Sequence, residues 1–207
     1  MDLEKLADIY GFEEIYEVEI EGVRPLLLNP PLPEKLKERK RTGETEDPEE
    51  EARKKLYRDP KTKKIAIPAR LIKAAIREAA KDYKVPGKGR TTFKDYVRAG
   101  IIIEPQFIEI DCNGKDPEEA WQVDIQPGVL PSNKAMVLIA RPRFDEWKLR
   151  FRIKVIDPTI KDEDLMKFLV TAGMYKGIGS YRPDYGLFKV TKFEKVKSNT
   201  GKKSIEE

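Results

Sequence analysis

The chain has 207 residues, 38% of them charged and 39% hydrophobic, and its formal net charge of +4 hides acidic blocks at 1–22 and 101–133 and basic blocks at 60–100 and 134–207. It contains no histidine and a single cysteine, Cys112, which removes the Ser-His-Asp and Cys-His arrangements, the imidazole general base, an internal disulfide and the usual His/Cys zinc sites. No apolar run approaches the about 20 residues of a membrane helix, the N-terminus lacks the layout of a signal peptide, and the lone thiol suits a cytoplasmic protein.

Residues 3–10 read as a short helix. Tyr16, Val18 and Ile20 then alternate with Glu17, Glu19 and Glu21, the pattern of a half-buried strand. Residues 34–51 carry almost nothing apolar and read as a mobile charged loop, after which Asp47-Pro48 supplies the N-cap and first-turn proline of a helix reaching about Leu56. Ile65 and Ile67 give a short strand. Pro68 fits a first helical turn, and Leu71, Ile72, Ala75, Ile76, Ala79 and Ala80 form one apolar stripe over 68–83. Away from that stripe Arg70, Lys73 and Arg77 recur at helical spacing, and a glycine-containing loop, 84–92, extends the basic surface with Lys84, Lys88 and Arg90.

A short helix ends near Gly100. Strands follow at 101–103 and 107–110, then a loop at 112–120 and a further strand at 121–125. KAMVLIARPRF (134–144) reads as a strand joined through Asp145-Glu146 in a hairpin to residues 147–156. There Trp147, Leu149, Phe151, Ile153 and Val155 alternate with Lys148, Arg150, Arg152 and Lys154. Asp162–Met174 is amphipathic through Leu165, Leu169 and Ala172. A glycine-punctuated loop, 176–186, precedes the last strand, 187–196, and 197–207 reads as a flexible tail. Strands interleaved with two good helices indicate one α+β domain over 1–196, with helices packed on one face of an antiparallel sheet.

Two stretches resemble the RAMP superfamily, the RNA-binding backbone subunits of CRISPR effector complexes. One is Ile67-Pro68-Ala69-Arg70-Leu71-Ile72-Lys73-Ala74-Ala75-Ile76-Arg77, a strand ending in Ile-Pro and then a basic helix. The other is Gly177-Ile178-Gly179-Ser180-Tyr181-Arg182-Pro183-Asp184-Tyr185-Gly186-Leu187-Phe188, similar to that family's glycine-rich loop before a C-terminal strand. ARPRFDEW taken with GIGSYRPDYG also looks like uncharacterised proteins of bacterial viruses and prophages, which shifts the context from CRISPR defence toward phage DNA metabolism. The resemblance implies a ferredoxin-like, RRM-type antiparallel sheet with helices on one face and inserted loops. It also implies binding along a single strand of RNA or DNA, with copies of the protein placed side by side.

On this reading the phosphates run over Arg70, Lys73, Arg77, Lys84, Lys88 and Arg90. In the loop, Gly177 and Gly179 permit an anion nest or a close approach to the sheet, Tyr181 and Tyr185 stack bases, and Arg182 pairs a phosphate. A purely structural turn is the competing reading of that loop. The Lys/Arg row at 148–154 is expected to face Glu17, Glu19 and Glu21 across the sheet rather than to bind, because Trp147 and Phe151 point the other way. No cofactor, metal or catalytic residue is assigned, and no G-x-x-x-x-G-K-[ST] loop is present. Two alternatives stand beside this one. The first is a magnesium-dependent nuclease using Glu109, Asp111, Asp116, Glu118, Glu119 and Asp124. The second is a phage structural or assembly protein whose charge blocks mediate subunit contacts. Cys112 reads as an unreactive thiol.

Overall fold

The computed structural model describes residues 13–30, 47–129 and 136–196. The helix expected at 3–10, the tail at 197–207 and most of the charged loop, 34–46, lie outside the described residues. In chain order the elements are β1 (Glu14–Gly22), β2 (Leu26–Leu27), α1 (Pro48–Lys54), β3 (Ala66–Pro68), α2 (Ala69–Ala80), α3 (Lys94–Gly100), β4 (Ile101–Glu104), β5 (Phe107–Glu109), α4 (Pro117–Ala120), β6 (Trp121–Val129), β7 (Met136–Phe144), β8 (Lys148–Val155), α5 (Asp162–Thr171) and β9 (Phe188–Val196). A π turn, Ala172–Lys176, continues α5. Helix α1 starts at Pro48 with Asp47 as its N-cap, as expected from Asp47-Pro48, so residues 48–51 form its first turn and do not belong to the charged loop; Asp47 accepts from the Glu49 N–H and Pro48 needs no donor partner.

The central sheet has the order β4-β8-β1-β9, and every neighbouring pair is antiparallel. Counting only those four strands, the chain runs β1-α2-β4-β8-α5-β9 and the spatial order is second, third, first, fourth. That is the ferredoxin-like arrangement. Both helices bury their stripes on one face. Ile72, Ala75, Ile76 and Ala79 of α2 and Leu165, Phe168 and Leu169 of α5 pack with Tyr16, Val18, Ile20, Leu149, Phe151 and Ile153 of the strands. Two insertions decorate this unit. One, between β1 and α2, holds β2, α1 and β3; the other, between β4 and β8, holds β5, α4, β6 and β7.

The outer face of the sheet answers the question posed by the Lys/Arg row. Glu17 stands opposite Arg152, Glu19 opposite Arg150 and Glu21 opposite Lys148. Glu17 bonds Arg152 at 2.9 Å and Lys192 at 3.2 Å, while Glu21 lies 3.5 Å from Lys148 and 2.7 Å from Lys189. Arg150 reaches both Glu19 and Asp111, and Lys154 reaches Glu104 at 3.3 Å. Among the described residues no aromatic ring stands on this face, since Trp147 and Phe151 are buried in the core.

One expectation is corrected. Residues 134–144 and 147–156 do not form a hairpin: β7 pairs with β6 and β2 in a separate three-stranded sheet, and β8 joins the central one. Phe144 and Trp147, on either side of the Asp145-Glu146 bend, are both buried, and Trp147 Nε1 donates to Arg24 O at 2.9 Å. Burying both rings carries the chain from one sheet to the other instead of folding it back. The loop expected at 112–120 also contains α4, capped by the Asp116 carboxylate accepting from the Glu118 N–H at 2.9 Å. Among the described residues no helix is long and apolar enough to cross a membrane.

Candidate nucleic-acid interface

The solvent-facing side of α2 and the glycine loop meet at a groove of about 490 Å³ lined by Ala74, Arg77, Glu78, Tyr175, Lys176, Gly179, Tyr181, Arg182 and Pro183. Two stretches about a hundred residues apart are thus brought together, because α5 and its π turn pack alongside α2 and deliver the loop to that helix. Among the described residues neither Arg77 nor Arg182 forms an ion pair with a carboxylate, although the pKa of Glu78 is lowered by Lys81 and, in smaller part, by the Arg77 charge beside it. The Arg77 Nε is buried with no hydrogen-bond partner, and Arg182 Nη1 reaches Gly177 O only at 3.5 Å. Lys176 pairs with Asp82 at 2.8 Å and Glu78 with Lys81, so the acidic groups nearby are already engaged. What remains is a concave surface with two arginines to spare and two exposed tyrosines, the residue types that hold phosphates and stack bases.

The glycines shape this surface by packing, not by lining it with free amides. Gly179 has φ +84, and a Cβ there would sit 2.4 Å from Leu27 O; Gly186 has φ +71, and a Cβ would sit 1.8 Å from Ile178 O. Ser180 N donates to Leu27 O and Gly186 N to Pro25 O, both at 2.8 Å, which ties the loop to β2 and its approach. The structural turn therefore also forms one wall of the groove. Gly177, at φ +66, ends the π turn and lets Tyr185 O and Gly186 approach closely.

Not every residue expected at the interface lines this groove. Lys73 turns inward and donates to Ile101 O at 2.6 Å, fastening α2 to β4, and burial there lowers its pKa. Arg70 stands beside Tyr57, one helix end away from the groove; burial raises the Tyr57 pKa and the Arg70 guanidinium opposes that rise. Lys84, Lys88 and Arg90 are exposed on the loop beyond α2 and do not line the groove, and Lys88 Nζ donates to the Tyr96 hydroxyl at 2.6 Å. Tyr185 is half-buried behind Tyr181, with its hydroxyl receiving Gln126 Nε2 at 3.3 Å. The second groove aromatic is instead Tyr175, which is 63% exposed. Tyr175 and Lys176 escape a sequence reading because an α-helical spacing does not place the residues of a π turn.

The carboxylates considered for a metal are dispersed. Glu109 pairs with Lys64, Asp111 with Arg150, Glu118 with Arg58 and Asp124 with Arg143, while Asp116 caps α4. Among the described residues no group of three or more such side chains stands close enough to hold a metal ion. Cys112 is buried, and burial, reinforced by Asp111, pushes its thiol up to about 11, far from a thiolate at neutral pH. A larger concavity, about 1010 Å³, is lined by residues of all four strands of the central sheet, but its cations Arg150, Arg152 and Lys192 are already paired with Glu17, Glu19 and Glu194.

No family model matches the chain, and no curated protein matches it. Among solved structures it is similar to a chain in the cryo-EM structure of the type III-B Cmr-beta complex bound to cognate target RNA. The sequence identity is 15% and the TM-score 0.48, and the likeness covers 94% of this chain and 64% of that one.

Proposed function

We propose that this protein binds single-stranded nucleic acid without cleaving it, seating the strand in the groove between α2 and the 177–186 loop. The observation that carries the reading is the convergence of Arg77, Arg182, Tyr175 and Tyr181 on one concave surface where, among the described residues, neither arginine forms an ion pair with a carboxylate. Arg77 and Arg182 hold phosphates, and the tyrosines take bases that a duplex keeps stacked and out of reach. The resemblance of both motif stretches to RAMP subunits supports the same reading and favours copies arrayed along one strand.

The test is fluorescence anisotropy with labelled single-stranded and duplex RNA and DNA, with magnesium and with EDTA, followed by a denaturing gel. Single strands are expected to bind in both buffers and to leave the gel intact, and longer strands to load additional copies in steps. Cleavage that requires magnesium would instead establish the nuclease reading, and equal affinity for duplex would remove the single-strand groove.

A further inference from the structure

Tyr181 is held in a way that a surface tyrosine does not need. Its backbone lies at φ +54, a left-handed conformation that a bulky residue rarely adopts. Its hydroxyl donates to Pro127 O of β6, and Tyr185 meets its ring edge-on with centroids 6.5 Å apart. Arg141, from β7, places its guanidinium 4.6 Å from the ring centroid. Arg141 is only 4% exposed, and its Nε and Nη1 have no hydrogen-bond partner among the described residues. The acid opposite it in the β6–β7 register, Asp124, pairs instead with Arg143 at 3.5 Å. A buried cation with unmet donors is costly, and the contact identified for this one is the tyrosine face. Arg141 does not line the groove, whereas Tyr181 does and remains 38% exposed. Tyr181 thus has a buried cation against its ring while part of its surface stays open to the groove.

We infer that Tyr181 is a fixed platform for one unstacked purine base of the bound strand, and that Arg141 is its positioning residue. The proposal rests on the single-strand reading above. Clamping the ring before binding removes the ordering cost that a free tyrosine would incur. The cation drawn against one face pulls π density toward itself and leaves the opposite face electron-poor. Such a face favours the larger, electron-rich purines over pyrimidines.

The experiment uses the full chain and a pyrimidine oligonucleotide carrying a single 2-aminopurine, whose fluorescence is quenched on stacking. Wild-type protein is expected to quench it on binding, and one guanine in an otherwise pyrimidine strand is expected to improve affinity roughly fivefold. Tyr181→Phe retains the quenching. Tyr181→Leu loses it and weakens binding of that strand roughly tenfold. Arg141→Met diminishes the quenching and the purine preference, and Arg141→Lys, which keeps a cation behind the ring, restores most of both. Quenching that survives Tyr181→Leu but disappears in Tyr175→Leu overturns the platform. Wild-type behaviour in both Arg141 variants overturns the positioning role while single-strand binding stands. If wild-type protein binds no single strand at all, the platform and the reading beneath it fall together.

Discussion

Lys73 and Arg77 are one helical turn apart on α2 and look equivalent in sequence, yet the fold gives them opposite tasks. Lys73 is half-buried with its ammonium on Ile101 O, whereas Arg77 reaches the groove. Lys73→Met is therefore expected to leave single-strand affinity within about twofold while lowering stability by about 1 kcal/mol, the scale of one lost hydrogen bond. Arg77→Glu should do the reverse, weakening binding at least roughly tenfold with little change in thermal midpoint, because on the proposed reading a phosphate ligand becomes a repulsive charge. Anisotropy and melting on the same preparations separate the two. A parallel contrast holds between two glycines in the left-handed region. At Gly87 (φ +73) nothing lies within 4 Å of an added Cβ, but at Gly179 (φ +84) Leu27 O lies at 2.4 Å. Gly87→Ala should cost about 1 kcal/mol for the backbone conformation alone. Gly179→Ala should cost clearly more in a denaturant titration, since β2 must also shift. Equal costs would mean that the loop yields freely and is not tied to β2.

At the scale of elements, the β1–β8 pair was the most legible part of the molecule. Strict alternation in both strands allows one register that buries Tyr16, Val18 and Ile20 with Leu149, Phe151 and Ile153, and that register sets glutamates opposite cations. The same lattice sets an acid limit on stability. Arg152 and Lys192 lower the Glu17 pKa, Arg150 and Thr191 lower that of Glu19, and Lys189 lowers that of Glu21. A carboxylate with a depressed folded pKa contributes stability above the unfolded value, about 4.5, and loses it as pH falls through the folded one. The midpoint of melting should thus be flat from pH 7 to about 5 and decline below about 4.5. Reversing both Arg150 and Arg152 to Glu should lower the midpoint by a few degrees at pH 7 and flatten that acid decline. A pH profile unchanged by the double reversal would mean the lattice is ornamental. The β7–β8 connection was not legible for the opposite reason. Two alternating strands separated by a short polar bend satisfy a hairpin pattern equally well, and only the burial of Phe144 and Trp147 on either side of the bend sends them to different sheets.

Across the whole molecule, sequence supplied Arg77 and the glycine loop as separate candidates, and their meeting depends on how the π turn after α5 docks on α2, which no local pattern encodes. Arg141 was invisible for a similar reason: in MVLIARPRF it reads as one more strand cation, and only the packing of the β6–β7 hairpin on the loop puts it behind Tyr181. The basic loop 84–92 was by contrast conspicuous in composition, yet it lies off the groove. A salt titration decides between composition and geometry. Each phosphate neutralised on a single strand adds about 0.7 to the magnitude of the slope of log affinity against log salt. Replacing Arg77 and Arg182 together by Gln should therefore shallow the slope by about 1.4. Replacing Lys84, Lys88 and Arg90 together by Gln removes more formal charge but no groove ligand, so it should shallow the slope clearly less than the groove double variant, through the loss of screened long-range attraction alone. Should the loop triple variant lose the slope while the groove double variant keeps it, the strand runs over 84–92 and the groove is not the interface.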